Sequence, residues 1–508
     1  MKKCLKLIFS RFTLICLAIL MQLVLYIVFP LVISESFPIV PINIVLSIIA
    51  LFVVLAIINS DMIIEGQLPL VILCILMPLV GVAFCFLFLK IKIPKKVKKY
   101  SEYTFNQFGK NIQLSSDVQK LITTDFKDAS GVFNYIYRTT GFVPYKNTNT
   151  KFLSRGEDFL DSLLVDLSSA KDYIFMEYFI IERGKMWSQI YSVLQQKVKD
   201  GVEVRVVYDD LGTISRLPSN FAKKLRKIGI KCVKFNEYSY TTSSVYNNRD
   251  HRKITVIDGK VGYIGGINIA DEYINEVHPY GTWKDSAVRL EGSAVDSLVC
   301  MFLQLYDIQS KMGEKFDKYI VPHQSESQGL VCPFGDGPKY FYGDYVAENL
   351  YINLIGQAKD SVLITTPYLI IDSKLKNALI NASKRGVDVK IITPHIPDKR
   401  TIFMITRSSY KELQSNGIKI FEYSQGFIHA KQVLVDNEFA VVGTVNFDYR
   451  SFVHHYECGV LMYKSACIPD IQADFEQILS TAVDMKDYKQ NIFTKLFCAF
   501  VKLFTPLF

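Results

Sequence analysis

Two histidines in this chain are each followed two residues on by a lysine and, five further, by an aspartate: His251-Arg-Lys253-Ile-Thr-Val-Ile-Asp258 and, 178 residues later, His429-Ala-Lys431-Gln-Val-Leu-Val-Asp436. Imidazole is the side chain that changes charge near neutrality, so it can act as nucleophile, base or acid, and an ammonium adds positive charge. One such pair is half a catalyst. Two pairs face to face bring one neutral imidazole to attack phosphorus and one protonated imidazole to release the leaving oxygen, with two ammonium groups to hold the non-bridging oxygens. That arrangement suits a phosphodiester. The candidate catalytic residues are therefore His251, Lys253, Asp258, His429, Lys431 and Asp436.

The elements that position them follow from the same stretches. A β-branched, apolar run after each His-x-Lys predicts a strand, where residues two apart share a face, so His and Lys project together. Each strand ends at a turn pair, Asp258-Gly259 or Asp436-Asn437, which gives both aspartates a role in holding a hairpin. A second apolar strand then leads to Gly265 and Asn268, or to Gly443 and Asn446, each asparagine ten residues after its motif aspartate. The surroundings repeat too: Ala170-Lys-Asp172 and Ala358-Lys-Asp360 each open an apolar strand, and Gly201 and Gly386 each lead into another. The repeated β-α-β-α-β order predicts two α/β lobes from a duplicated unit, residues 151–320 and 330–490, separated by a Gly- and Pro-bearing seam. Residues 100–150 read as a polar linker.

Half of the 508 residues are hydrophobic, and the enrichment is concentrated in the first ninety. Apolar runs at Phe12–Ile33, Ile39–Ile58 and Pro69–Leu89 predict a membrane region over residues 1–99 with two or three spans. Much of the net charge of +9 flanks these runs, as Lys2, Lys3, Lys6 and Arg11 before them and the lysines of 90–99 after them. This is a membrane-surface pattern, and no basic groove interleaved with aromatics argues for nucleic acid. Three spans would put the two basic ends on opposite sides, so either one run is not a full span or the amino terminus lies outside. The stronger cluster at 90–99 places the catalytic lobes in the cytoplasm. The ten cysteines form no CxxC pair and fit a reducing compartment, with neither a disulfide framework nor a zinc site. No GxxxxGK[ST], HExxH or EF-hand loop is present, and neither metal nor cofactor is expected. The His454-His455 pair has no partner at metal-ligand spacing, and with His278, His323 and His395 it is read as surface or core. The tail, residues 491–508, carries Lys495 and Lys502 within an apolar pattern and predicts an interfacial amphipathic helix.

The doubled motif with its downstream Gly and Asn resembles the phospholipase D superfamily. Tyr208-Asp-Asp-Leu-Gly-Thr213, Asn248-Arg-Asp-His-Arg-Lys253, Gly265-Gly-Ile-Asn-Ile-Ala-Asp-Glu-Tyr273, Trp283-Lys-Asp285 and Gly443-Thr-Val-Asn-Phe-Asp-Tyr-Arg-Ser451 are similar to its bacterial cardiolipin synthase branch, as is the amino-terminal apolar region. The resemblance implies two homologous lobes of mixed sheet and flanking helices, with the active site between them. It implies phosphatidyl transfer between two phosphatidylglycerols, giving cardiolipin and glycerol through a phosphatidyl-histidine, at a bacterial cell membrane. It also implies that an acid downstream supports each histidine. Asp285 lies 34 residues after His251, and Glu457 lies 28 after His429. These two, with Asn268 and Asn446, complete the expected substrate-binding set. His251 is assigned as nucleophile, and the near-symmetry of the motifs keeps His429 open as the alternative. Phospholipid or nucleic-acid hydrolysis with water as acceptor is the rival chemistry, and a non-catalytic scaffold is disfavoured by intact His and Lys in both copies.

Overall fold

The computed structural model describes residues 11–24, 39–88, 95–237 and 247–507. They belong to two compact units, the larger of which spans Lys96–Glu237 and Asn248–Lys495. Its first half contributes β1 (Thr148–Leu153), β2 (Tyr173–Tyr178), β3 (Glu203–Asp209), β4 (Lys231–Phe235), β5 (Lys253–Ile257), β6 (Val261–Gly265), β7 (Thr282–Lys284) and β8 (Ala287–Gly292). Its second half contributes β9 (Leu330–Asp336), β10 (Ser361–Thr365), β11 (Leu369–Ile370), β12 (Asp388–Pro394), β13 (Lys419–Tyr423), β14 (Gly426–Ile428), β15 (Gln432–Val435), β16 (Phe439–Gly443), β17 (Phe447–Asp448), β18 (Glu457–Tyr463) and β19 (Val483–Asp484).

The main sheets run β1-β8-β6-β5-β2-β3-β4 and β9-β18-β16-β15-β10-β12-β13-β19. Strand for strand the second order repeats the first, with β19 added at the edge. In both, three neighbouring strands pair in parallel (β2-β3-β4 and β10-β12-β13) and the motif strands β5 and β15 join antiparallel. The chain is thus an α/β protein of two like lobes with mixed sheets.

The helix Val295–Ser310 joins the lobes and is buried almost all round. Its Leu298, Met301 and Phe302 share one apolar core with Phe175 and Ile254 of the first sheet and with Val331 and Phe334 of the second. Phe175 stacks on Phe302 at 4.6 Å. With almost no exposed face, this helix lies inside the molecule and fixes the lobes together.

Two regions differ from the sequence expectation. Residues 100–150 are not a linker: helices Lys95–Asn111, Ser116–Thr124 and Ser130–Thr140 fill them. Phe108 and Ile112, Val118 and Ile122, and Val132, Phe133 and Ile136 enter the main core at helical spacing. The third apolar run is also not one helix. It is split between Ile64–Leu76 and Pro78–Phe88, with Met77 out of helical geometry. Pro78 has no N–H to offer and disfavours helix at the residue before it. Leu79 N–H, left without a helical acceptor, donates to the side chain of Gln22 at 2.9 Å. The two halves then pack so closely that a Cβ on Gly81 would stand 2.5 Å from the Cys74 backbone. At 13 residues the longer half spans about 20 Å, short of the about 30 Å of a bilayer's hydrocarbon.

Among the described residues no helix is long and apolar enough to cross a membrane. Of the first run only the part up to residue 24 is described, as helix Arg11–Leu23; its remainder lies outside the described residues, as do Lys2, Lys3, Lys6 and Lys90. The helix Ile39–Ile58 carries no charged residue over its 20 positions, and the side chains at its start are outside the description. The smaller unit nonetheless exposes large apolar side chains, including Ile48, Phe52, Leu55, Ile75, Leu76 and Phe86.

Candidate active site

Each motif hairpin turns through two residues of positive φ, Asp258 (53°) and Gly259 (66°) in one lobe, Asp436 and Asn437 (both 53°) in the other. This is the twist that tight hairpins require and that Asp, Asn and Gly tolerate. The aspartate carboxylates face away from the histidines, toward the start of the neighbouring strand. Asp258 accepts the backbone N–H groups of Lys171, Asp172 and Tyr173, and Asp436 those of Lys359, Asp360 and Ser361, all at 2.8 Å. The repeated Ala-Lys-Asp before β2 and β10 thus marks the point where three consecutive backbone N–H groups meet a motif carboxylate. Both aspartates sit at the far end of their strands from His251 and His429, so the structure gives them a scaffolding place rather than a catalytic one.

The histidines precede their strands and are held across the lobe interface. His251 N–H donates to the Tyr456 carbonyl at 2.9 Å, and His429 N–H to the Lys284 carbonyl at 2.7 Å. The residue after each of these carbonyls is an acid. His251 Nδ1 meets Glu457 at 2.8 and 3.0 Å, and His429 Nδ1 meets Asp285 at 2.6 Å. The pairing is therefore crossed: each acid supports the histidine of the other lobe, and the assignment of Asp285 to His251 and Glu457 to His429 is corrected. Both acids are fully buried, Glu457 at the start of β18 and Asp285 between β7 and β8, and the residues before them pair with the opposite lobe. Trp283 and Lys284 of β7 lie parallel to Phe427 and Ile428 of β14, and Asp250 bridges Tyr456. The two matching glycines make this approach possible. A Cβ on Gly265 would meet Ser286 and Ala287 backbone at 2.5 Å, and one on Gly443 the Cys458 carbonyl at 2.5 Å.

With Nδ1–H donated to Glu457, His251 keeps its lone pair on Nε2, the tautomer a nucleophile or base needs, whereas His429 Nδ1 stands between the Asp285 carboxylate and, at 2.7 Å, the Lys431 ammonium. Burial, assisted by Lys253, pushes His251 down to about 3 despite Glu457, and burial with Lys431 pushes His429 down to about 4. Both rings are neutral in the empty site. Burial would raise the two acids, but Lys431 and His429 hold Asp285 below its ordinary value, and His251 and His455 hold Glu457 well below its own. The lysines are pushed down by burial, Lys253 to about 8 and Lys431 to about 7. Lys253 Nζ donates to the His251 carbonyl at 2.6 Å, and Lys431 Nζ to that of His429. Lys253 bears electrostatically on His429 and Lys431, and Glu457 on Lys431, so the two motifs form one site. An anion entering it would meet two ammonium groups that lack carboxylate hydrogen bonds.

The asparagines are not equivalent. Asn268 is consumed internally, accepting from Ile180 N–H at 2.9 Å and donating to the Tyr273 hydroxyl at 2.7 Å. Asn446 has a buried side-chain oxygen with no hydrogen-bond partner. Sequence reading missed two neighbours. Thr444, inside the Gly443-Thr-Val-Asn446 match, donates its hydroxyl to Glu457. His455, dismissed for want of a partner, lies with its ring 5.4 Å from that of His251. The position two before a supporting acid was the available signal.

Two like lobes sharing one site of paired His and Lys define a phospholipase D-like architecture. The crystal structure of Haemophilus influenzae phosphatidylserine synthase has a similar fold, with a TM-score of 0.55 over 75% of this chain and 98% of that one at 13% identity. A family model described as cardiolipin synthase, PLD-like domain, matches residues 163–285 and 351–479. Cardiolipin synthase 2 of Bacillus anthracis is 34% identical over 71% of this chain and 71% of its own, and cardiolipin synthase 1 of Bacillus cereus 30% over 85% and 87%. An uncharacterized protein of Streptococcus mutans is 46% identical over 73% of this chain and 81% of its own. The chain belongs to the cardiolipin synthase family.

Proposed function

We propose that the protein is a membrane-bound phosphatidyltransferase that joins two phosphatidylglycerols into cardiolipin and releases glycerol. The observation that carries this reading is the crossed pair of histidine–acid contacts with two lysines between them, in a chain whose relatives are named cardiolipin synthases. His251 Nε2 attacks the phosphorus of the first lipid, and His429 Nε2, protonated once the anionic substrate is bound, gives its proton to the departing glycerol oxygen. The glycerol hydroxyl of the second lipid then returns a proton to His429 as it attacks phosphorus and frees His251. Lys253, Lys431 and the Nδ2 amide group of Asn446 donate to the phosphoryl oxygens while charge builds on them. One ester replaces another, so no nucleotide is consumed.

His251 is the nucleophile in this account because both oxygens of Glu457 hold its ring. His429 packs against three aromatic rings, Tyr273, Trp283 and Phe427 at 5.4 to 6.0 Å, where His251 has Phe179 at 4.9 Å, and the extra ring faces help an imidazolium form against burial and the charge of Lys431. For the membrane, the apolar exterior of the smaller unit is the support, together with Phe493, Leu496 and Phe500 exposed along the helix Ile492–Lys502. By the positive-inside rule, the lysines of 90–99 put the catalytic lobes on the cytoplasmic side.

The test is to incubate the purified full chain with phosphatidylglycerol micelles and a chelator and to analyse the lipids. Cardiolipin and free glycerol are expected in equal amounts. Phosphatidic acid as the main product would make the protein a hydrolase.

A further inference from the structure

Glu457 faces a second imidazole. His455 Nδ1 lies 3.5 Å from Glu457 Oε1, at the outer limit of hydrogen-bond reach, and is buried with no hydrogen-bond partner. His251 Nδ1 approaches the other oxygen of the same carboxylate at 2.8 Å. Among the described residues, these three form the one group of His, Cys, Asp or Glu whose ligand atoms converge as a metal site requires, all within 4.8 Å of one another. Two imidazole nitrogens and a carboxylate oxygen form a donor set that suits Zn2+ and neighbouring divalent transition ions, with a fourth position left open. At bonds of about 2.0–2.2 Å tetrahedral ligands stand about 3.3–3.6 Å apart, so the His455–Glu457 pair at 3.5 Å already fits, the His251–Glu457 pair at 2.8 Å must open, and the widest pair, within 4.8 Å, must close. An unbonded buried nitrogen is costly to keep, and a metal bond would satisfy it. The opposite half has no such third ligand: Asp285 and His429 have Lys431 beside them, 2.7 Å from His429 Nδ1.

We infer that His251, His455 and Glu457 form a binding site for a divalent transition-metal ion that inhibits the enzyme. The ion takes the lone pair of His251 Nδ1, so the ring hydrogen must move from Nδ1 to Nε2. Nε2 is then protonated and cannot attack phosphorus. Glu457 is occupied as well and no longer orients the ring. The inhibitory consequence rests on the proposed phosphatidyl transfer, whereas the binding does not.

The two are separated by reading metal and lipid independently. Full-length protein in detergent, stripped of metal and freed of chelator, is titrated with Co2+, whose visible absorption reports a four-coordinate nitrogen and oxygen site. One saturable site is expected, emptied by Zn2+, with the Zn2+ midpoint for displacement equal to that for loss of lipid turnover. His455→Ala and His455→Asn should each weaken Co2+ binding about tenfold or more, with thermal melts confirming that the variants are folded. A wild-type protein with no saturable Co2+ absorption, or variants that bind Co2+ as the wild type does, would overturn the site. A protein that binds Co2+ but makes no cardiolipin would keep the site and refute the transferase reading alone.

Discussion

Around His251 the neighbours are mostly polar: two oxygens of Glu457, the Thr444 hydroxyl on that carboxylate and a second imidazole from His455, with one aromatic side chain, Phe179, at 4.9 Å. Around His429 three aromatic rings gather, Tyr273, Trp283 and Phe427, with Asp285 and the Lys431 ammonium both close to Nδ1. The residue between His and Lys differs as well. Arg252 is fully buried and donates to the Glu457 carbonyl at 3.1 Å, whereas Ala430 has no side chain to reach across. Duplication supplied two equal frames and the interface made them unequal, since each histidine takes its environment from the other lobe. The difference suits one ring that stays neutral to attack and another that accepts a proton.

Removing either ring has the largest expected effect: His251→Ala and His429→Ala should both abolish steady-state cardiolipin synthesis. Next come the acids. Glu457→Gln and Asp285→Asn each offer an amide that can hold the wrong tautomer, and turnover should fall about 10³-fold or more. If only one mattered, the claim that both rings are oriented across the interface would break. The asparagines sharpen the comparison further. Asn446→Ala should cost activity, about 10²-fold, through a lost phosphoryl contact. Asn268→Ala should instead lower stability by about 1–3 kcal/mol, since it leaves buried groups unpaired. Thermal melts beside kinetics decide this pair, and equal behaviour would contradict their different hydrogen bonding.

The smallest expected effect is in the pH profile. Each lysine carries its charge below its pKa and loses it above, and Lys431 at about 7 sits below Lys253 at about 8. In kcat/KM, which reports the free enzyme, activity should therefore decline as pH rises through this window. Lys431→Arg, whose guanidinium stays charged, should move the decline upward by about a unit if it retains activity, because Lys253 then sets it. An alkaline limb that stays in place would remove Lys431 from the phosphoryl site.

The paired His and Lys and the duplicated lobes were legible because the same residues recur at the same spacing in both halves, although both histidines stand just before their strands rather than on them. The knot at Asp258 was legible only as a hairpin: its three N–H partners lie some 85 residues earlier in the chain. The crossing of Asp285 and Glu457 was not legible, since strand order within a lobe says nothing of which short strand bridges to the other. The helices of 100–150 were open to view in the spacing of Phe108 and Ile112 or Val118 and Ile122, but overall polarity hid them. The break at Pro78 was written in the third run, yet apolarity alone made it look continuous.

The inequality of the two histidines is tested most directly by trapping the covalent intermediate. Each His→Ala protein is exposed briefly to a phosphatidyl donor whose leaving group needs little protonation, quenched, and mapped by mass spectrometry. The lipid phosphoryl group is expected on His251 in the His429→Ala protein and nowhere in the His251→Ala protein. A phosphatidyl adduct on His429 in the His251→Ala protein would contradict the account.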